Sequence, residues 1–304
     1  MAVLRVTQGL MVQRVLSNLN AQSRRILQLQ EQLASGLRVN SPSDDPIDAR
    51  RAINARAAIA RSEQYLDNIT EVNPHLLETD ASLQAVLNNL QRTMELTVEG
   101  ANGTFSQDQL ETLAEEINQI LENVLDTANH QTSGRSIFAG TRTTAPAYTA
   151  TRNVQGEITA ITYNGNDEDI LVQVSDGISL SINENGPDVF QSPQDIFQLL
   201  IDIRDELRSG DQSSLQNVRL AELETARDQV VQGIARVGAV ENRVERITTD
   251  TEDRIQQLRS VLSDSIDADF AEVVLNLNAQ SNAFQAALSA AARVIQPSLL
   301  DFVR

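Results

Sequence analysis

Apolar side chains recur every seven residues over the last sixty residues, a spacing typical of a helix that packs along another helix. Before a break near 264–269, the repeat comprises Val237, Val240, Val244, Ile247, Leu258 and Val261, with Thr251 as its polar member. After the break it comprises Phe270, Val274, Leu277, Phe284, Leu288, Ala291 and Ile295. The pattern therefore predicts two consecutive helices that end at Pro297.

The beginning of the chain carries a matching repeat. Val12, Leu19, Ile26 and Leu33 are seven residues apart, and Leu16 and Leu37 occupy offset positions. A helix is predicted over 3–34, and the two ends of the chain are expected to pack together. The stripes can be buried within one molecule or against other copies. The phenylalanines at 270 and 284, in a tail rich in Ala, Asn and Gln, favour packing between copies.

A polar turn follows the first predicted helix. Gly36 suits the end of a helix, and Pro42, Asp44, Asp45 and Pro46 cannot easily continue one. Either aspartate can cap the next helix, with Pro46 in its first turn. Helices are then predicted over 47–69, over 76–100 after an interruption at Pro74, and over about 106–125.

After Gly134 the apolar residues recur at every second position, which is the pattern of a β-strand. A short strand-like run at 135–140 is followed by an irregular loop containing Pro146 and Tyr148. Alternating runs at 156–163, 170–174 and 178–182 are separated by Asn164-Gly165 and Asp176-Gly177, which are hairpin signals. These runs predict one small antiparallel unit. A helix over 196–207 follows, and the pattern is helical again from Asp211.

The predicted fold is mainly α: an elongated helical bundle or coiled coil made from both termini, with a small antiparallel β insert in the middle, α+β overall. Three nested domains are expected. They are a terminal coiled-coil domain (1–45 with 268–304), a helical rod domain (46–134 with 193–267) and a β-rich outward-facing insert (135–192).

Charge is unevenly distributed along the 304 residues, whose formal net charge is −18. Residues 1–61 hold nine Arg against four acidic residues, and residues 62–134 hold one Arg against thirteen. The basic part has no interleaved aromatic residues, so no nucleic-acid binding is expected. No membrane span and no cleaved secretory signal are predicted either.

The sequence offers little for catalysis. It has no Cys and no Lys, and its two histidines, His75 and His130, are predicted to be exposed at helix ends without ligand spacing. Asp44 and Asp45 are adjacent in a turn, which suits capping rather than paired carboxylate chemistry. We therefore expect no enzyme activity, no metal and no cofactor.

Several segments resemble the bacterial flagellin family. Leu33 to Pro46 is similar to the segment that ends the family's first terminal helix, Asn88 to Asn102 to a later helix, and Val273 to Ile295 to the terminal helix. Within the family, Pro42 to Pro46 and Arg135 to Thr141 resemble the branch that forms the hook–filament junction. The resemblance covers most of the chain and leaves out 140–192.

The resemblance implies a structural subunit of the flagellum, secreted unfolded through flagellar type III export. Its termini would form an inner helical tube, and it would join hook-associated protein 1 to flagellin in a ring or helical homo-oligomer. The implied export chaperone would bind Phe270, Leu277, Phe284 and Leu288. The expected assembly interface comprises Val12, Leu16, Leu19, Ile26, Leu33, Phe270, Val274, Leu277, Phe284, Leu288 and Ile295. Two alternatives stay open: a short filament flagellin, and a secreted surface-binding module acting through the β insert.

Overall fold

The computed structural model describes residues 8–295, with side chains described over 10–292. The helices are α1 (Gln8–Ser35), α2 (Pro46–Ala101), α3 (Gln107–Ala128), α4 (Gly186–Phe190), α5 (Ile196–Ser209), α6 (Gln212–Ser214), α7 (Leu220–Ile266) and α8 (Phe270–Ile295), with a π-helical turn at Leu215–Arg219. The strands are β1 (Gln131–Thr132), β2 (Arg135–Ser136), β3 (Tyr148–Arg152), β4 (Ile158–Tyr163), β5 (Leu171–Ser175) and β6 (Ile178–Ser181).

Two compact units divide the chain. The first contains the described parts of 1–61 and 254–304, and the second contains 62–253. In the first unit α1 packs against α8, and a small cluster of Val39, Ala49, Ala52 and Ile266 is buried. The predicted fold class is confirmed, because long helices from both ends pack together and the strands lie in the middle of the chain. The three-domain division stays a prediction.

The second unit contains an extensive core. α3 packs against α5, and α5 also contacts β4. Leu83, Leu121 and Leu200 have no exposed surface. A cluster of five aromatic rings (Phe138, Tyr148, Tyr163, Phe190 and Phe197) adds to this core, with ring centroids 4.9–5.6 Å apart in its contacting pairs. This unit therefore contains a core of fully buried apolar side chains.

The strands form three separate antiparallel hairpins, β1–β2, β3–β4 and β5–β6. The Asp176-Gly177 turn was predicted correctly, but the pairing of the first alternating run was not: β4 pairs with β3, from a segment predicted to be a loop. Asn129 explains why Tyr148 begins a strand. Its side-chain amide accepts a hydrogen bond from the Tyr148 N–H at 2.8 Å and donates to the Tyr148 carbonyl at 3.0 Å.

The prediction that Pro74 interrupts a helix is wrong, since α2 continues through it. Proline removes one backbone hydrogen bond and crowds the preceding turn. Pro74 itself is exposed, whereas Val72 and Leu76 on either side of it are buried in the core. Packing of the buried face therefore outweighs the local cost of the proline.

Candidate assembly interface

The helices from the two ends of the chain meet along a thin seam. On α1 the half-buried apolar positions are Val12, Val15, Leu19, Ile26, Leu29 and Leu33, and no residue from Leu10 to Ser35 is fully buried. On α8 the seam comprises Val273, Leu277, Phe284, Ala287 and Ala291, of which only Val273 and Ala291 are buried. The spacing of three and four residues gives one narrow apolar stripe on each helix. We call these residues the terminal seam.

Large apolar side chains outside the terminal seam are left in contact with solvent. Leu16, Leu27, Phe270, Leu275 and Leu288 are between 45% and 70% exposed. Leu10 and Met11 are also exposed. An accumulation of exposed large apolar residues is typical of a surface that another protein covers. We call Leu16, Leu27, Phe270, Leu275 and Leu288 the exposed apolar set.

The predicted interface residues therefore fall into two classes. The terminal seam contains Val12, Leu19, Ile26, Leu33, Leu277 and Phe284. The exposed apolar set contains Leu16, Phe270 and Leu288. Val274 is half-buried and belongs to neither class. The side chain of Ile295 lies outside the described side chains. Whether these residues mediate assembly, and whether four of them bind a chaperone, stays a prediction.

The predicted repeat on α7 is correct at three of its main positions and wrong at one offset position. Val237, Val244 and Thr251 are buried as the repeat requires, whereas Val261 is 48% exposed. Ile255, four residues after Thr251, is buried instead. Because a helix has 3.6 residues per turn, residues three apart and residues four apart both lie on the same face. The sequence alone did not show which of the two spacings continues after Thr251.

A backbone clasp joins the end of α1 to the α7–α8 connection. The Arg38 N–H donates to the Ile266 carbonyl at 2.7 Å, and the Ala268 N–H donates to the Gly36 carbonyl at 2.9 Å. The Arg38 guanidinium also donates to the Ser265 carbonyl at 2.7 Å and to Asp48 at 2.5 Å. Sequence reasoning missed this clasp because main-chain hydrogen bonds between distant segments leave no residue pattern. It fixes the beginning of α8 beside the end of α1.

The turn before α2 is closed by the two predicted aspartates, in different ways. Asp45 caps the helix, since its carboxylate accepts from the N–H groups of Ile47 and Asp48 at 3.0 and 3.1 Å. Those backbone hydrogen bonds, that from Asp48 above all, lower the pKa of Asp45. Asp44 instead closes the turn that precedes the helix, by accepting from the N–H groups of Asn40 and Ser41.

Of the two prolines predicted at this turn, Pro46 is the first residue of α2, as expected. Pro42 is exposed in the turn that precedes the helix. In the structure Asp45 accepts from the first backbone N–H groups of α2, and Pro46 lies in the first helical turn. Whether the segment also acts as a hinge stays a prediction.

The histidines differ from the prediction at one position. His75 lies in the middle of α2, where burial above all, and then the positive charge of Arg135, lower its pKa. His130 is partly exposed, 3.2 Å from Glu78. Over the described residues, no group of three acidic, His or Cys side chains could hold a metal ion. In the same part of the chain, no helix combines the length and apolar content needed to cross a membrane.

Comparison with known proteins agrees with this architecture. Residues 6–143 match the bacterial flagellin N-terminal helical region, and residues 220–303 match the bacterial flagellin C-terminal helical region. The chain is 29% identical to the flagellar hook-associated protein 3 of Salmonella typhimurium over 191 residues, which are 62% of this chain and 57% of that protein. It is 34% identical to the flagellin of Salmonella muenchen over 138 residues, 45% of this chain and 26% of that protein.

A solved structure of a flagellar hook-associated protein from Vibrio parahaemolyticus superimposes with a TM-score of 0.66 at 19% identity, covering 74% of this chain and all of that one. At this identity the likeness shows the fold. The chain spans only part of the length of its curated relatives, 57% and 26% for the two named. The two family matches together cover more than half of the sequence, and they include both terminal helices. The chain therefore belongs to the bacterial flagellin family.

Proposed function

We propose that this protein is a structural adaptor at the hook–filament junction of the bacterial flagellum. It would join hook-associated protein 1 to the first flagellin subunits through helical packing of its termini. The observation that carries the proposal is the exposed apolar set on α1 and α8. Similarity to hook-associated protein 3 supports the junction rather than the filament as its site.

The physical argument starts from the terminal seam. Two helices packed along one narrow stripe leave most of their surfaces in water, and a pair of helices on its own is marginally stable. Leu16 and Leu288 are about half exposed, so covering the rest of each side chain against neighbouring molecules would contribute about 0.7–1.5 kcal/mol per residue. Assembly would therefore complete the burial that the two terminal helices begin.

Secretion through flagellar type III export, and an export chaperone bound to the tail, belong to the same proposal. Phe270, Leu277, Phe284 and Leu288 would be the chaperone's contacts. Two of these lie in the terminal seam and two in the exposed apolar set. A chaperone that covers all four would have to separate α8 from α1, so chaperone binding and the terminal seam exclude each other. We propose no catalytic role.

The test replaces exposed leucines in the full-length protein. Leu16→Gln combined with Leu288→Gln should leave the protein folded and abolish joining of hook to filament in bacteria that lack their own junction protein. Leu171→Gln is the matched control, since Leu171 is 65% exposed on β5. Swimming and electron micrographs of the cells give the readout. Normal joining by the double variant would contradict the proposal.

A short filament flagellin is the second candidate, favoured by the match to Salmonella muenchen flagellin. The two functions differ in what the purified protein does alone. A filament flagellin polymerises into long filaments under salting-out conditions, whereas an adaptor needs its neighbours. Long filaments of this protein alone would replace the adaptor proposal with the second candidate.

A further inference from the structure

An acidic groove lies in the second unit between α2 and α7. Its volume is about 870 Å³, and its lining includes Glu78, Glu241 and Glu245, but no basic residue. Leu77, also in the lining, is 57% exposed. The groove therefore combines negative charge with an uncovered apolar side chain, as in sites that accept an amphipathic helix.

Glu241 is the most constrained of these carboxylates. Its Oε1 atom is buried and has no hydrogen-bond partner in the described part of the chain. Burial above all, and then the negative charge of Asp80, raise the pKa of Glu241. A buried carboxylate oxygen without a donor is costly, and a guanidinium group is well suited to supply one.

A complementary surface lies in the first unit. Residues 47, 50, 54, 57 and 61 follow one another at spacings of three and four along α2, so they share one helix face. All five are exposed, and they are Ile47, Arg50, Asn54, Ala57 and Arg61. Ile53 beside them is 60% exposed. Neither Arg50 nor Arg61 forms an ion pair with any described residue. We call this face the basic stripe.

The dimensions of the two surfaces agree. Arg50 and Arg61 are eleven residues apart, which is about 16 Å along a helix. The groove extends from Ile69 to Glu78 on one wall and from Glu241 to Thr249 on the other, which is about 12 to 14 Å at the same rise. A helix lying along the groove can therefore place one arginine near each end and its apolar residues over Leu77.

We propose that the acidic groove of one molecule binds the basic stripe of a second copy of this chain. The contact joins different surfaces on the two molecules, so a bound pair keeps one free acidic groove and one free basic stripe, and the contact can be repeated around a ring or along a helix. Charge complementarity would set the register, because a shifted pairing brings the arginines away from the glutamates. The inference rests on the proposed function, since it assumes that copies of the chain assemble.

Cross-linking tests the contact directly. The sequence has no cysteine, so full-length Arg61→Cys and Glu245→Cys, distinguished by tags of different mass, can form only one disulfide between them. Mixed at high concentration and oxidised, they should give at least about ten times more heterodimer than Arg61→Cys mixed with Arg243→Cys. Arg243 is exposed on α7 outside the groove lining. Equal yields would overturn the inference.

A second experiment reverses the charges on the two surfaces. Arg50→Glu with Arg61→Glu should impair hook–filament joining, as should Glu241→Arg with Glu245→Arg, and a chain with all four changes should recover it. Circular dichroism first establishes that each variant folds. A photoreactive maleimide attached to Glu245→Cys tests the alternative partner: capture of flagellin rather than this chain would overturn the choice of a second copy.

The two proposals can fail separately. If the leucine double variant abolishes joining while all charge-reversed chains join normally, the groove inference is wrong and the adaptor function stands. If the cross-link forms specifically but the leucine double variant joins hook to filament normally, the contact between copies stands and the proposed role of the terminal helices is wrong.

Discussion

The two units differ in how they bury their apolar side chains. In the second unit Leu83, Leu121 and Leu200 are fully buried and five aromatic rings pack together. In the first unit α1 has no fully buried residue and α8 has only Val273 and Ala291 among its described side chains. The second unit therefore has the core of a protein that folds alone, whereas the terminal helices resemble half of an interface.

This difference explains why one chain can be both stable and ready to assemble. Stability can be supplied by the second unit, so the terminal helices need only be marginally ordered before they meet a partner. Exposed apolar residues that would be a liability elsewhere are then available for binding.

The largest effect should come from the core of the second unit. Leu121→Ala removes a side chain with no exposed surface and should lower the free energy of unfolding by about 3 kcal/mol, because it leaves a cavity among well-packed neighbours. Urea unfolding measures the change. A loss as small as that of a surface substitution would show that this core is not tightly packed and would remove the contrast.

A buried polar contact should be the next most sensitive feature of that unit. Arg204, whose side chain is 3% exposed, donates to the Asn118 side chain at 3.2 Å and to the Ile158 carbonyl at 2.8 Å. Arg204→Met should cost about 2 kcal/mol, since both acceptors lose a buried donor. Arg243→Met on the surface is the control. An unchanged urea midpoint in Arg204→Met would mean that water satisfies these acceptors.

In the terminal seam the same kind of truncation should affect the monomer much less. Leu277 is half-buried, so Leu277→Ala should lower the stability of the isolated protein by about 1 kcal/mol or less. Its effect on joining hook to filament should nevertheless be large. A monomer destabilised as strongly as by Leu121→Ala would indicate that the seam is already part of a complete core.

The smallest effect concerns pH. Burial lowers the pKa of His75 below its ordinary value of 6.5, so the unfolded chain takes up this proton first. As the pH falls from 6.5 to the folded-state pKa of His75, protonation of the unfolded chain should therefore lower the free energy of unfolding. Above pH 6.5, His75 should have no effect on the pH dependence of stability. Thermal unfolding of the wild type and of His75→Gln between pH 5 and 8 measures it. Identical pH profiles would show that His75 is accessible to water.

Much of the fold could be predicted from the sequence because helical periodicity is local. The seven-residue spacing by itself identifies Leu19, Ile26, Leu277 and Phe284, all of which lie in the terminal seam. It could not separate seam positions from exposed ones: Phe270 and Leu288 fit the same repeat but are 64% and 45% exposed. That distinction depends on which partner helix is present, which spacing does not specify.

The remaining errors have non-local causes. Tyr148 begins a strand because the side chain of Asn129, nineteen residues earlier, binds its backbone. Pro74 remains within a helix because neighbouring residues are held in the core. The sequence showed only that acidic residues are concentrated in parts of the chain. It could not show the acidic groove itself, because the walls of the groove come from segments more than 160 residues apart.

Amide hydrogen exchange, measured on dilute protein and on the protein assembled with flagellin, tests the role of the terminal helices most directly. In dilute solution, residues 10–35 and 270–292 should exchange much faster than residues 110–125 of α3, and assembly should protect them strongly. Terminal helices as protected as α3 in the dilute protein, with no change on assembly, would contradict the account.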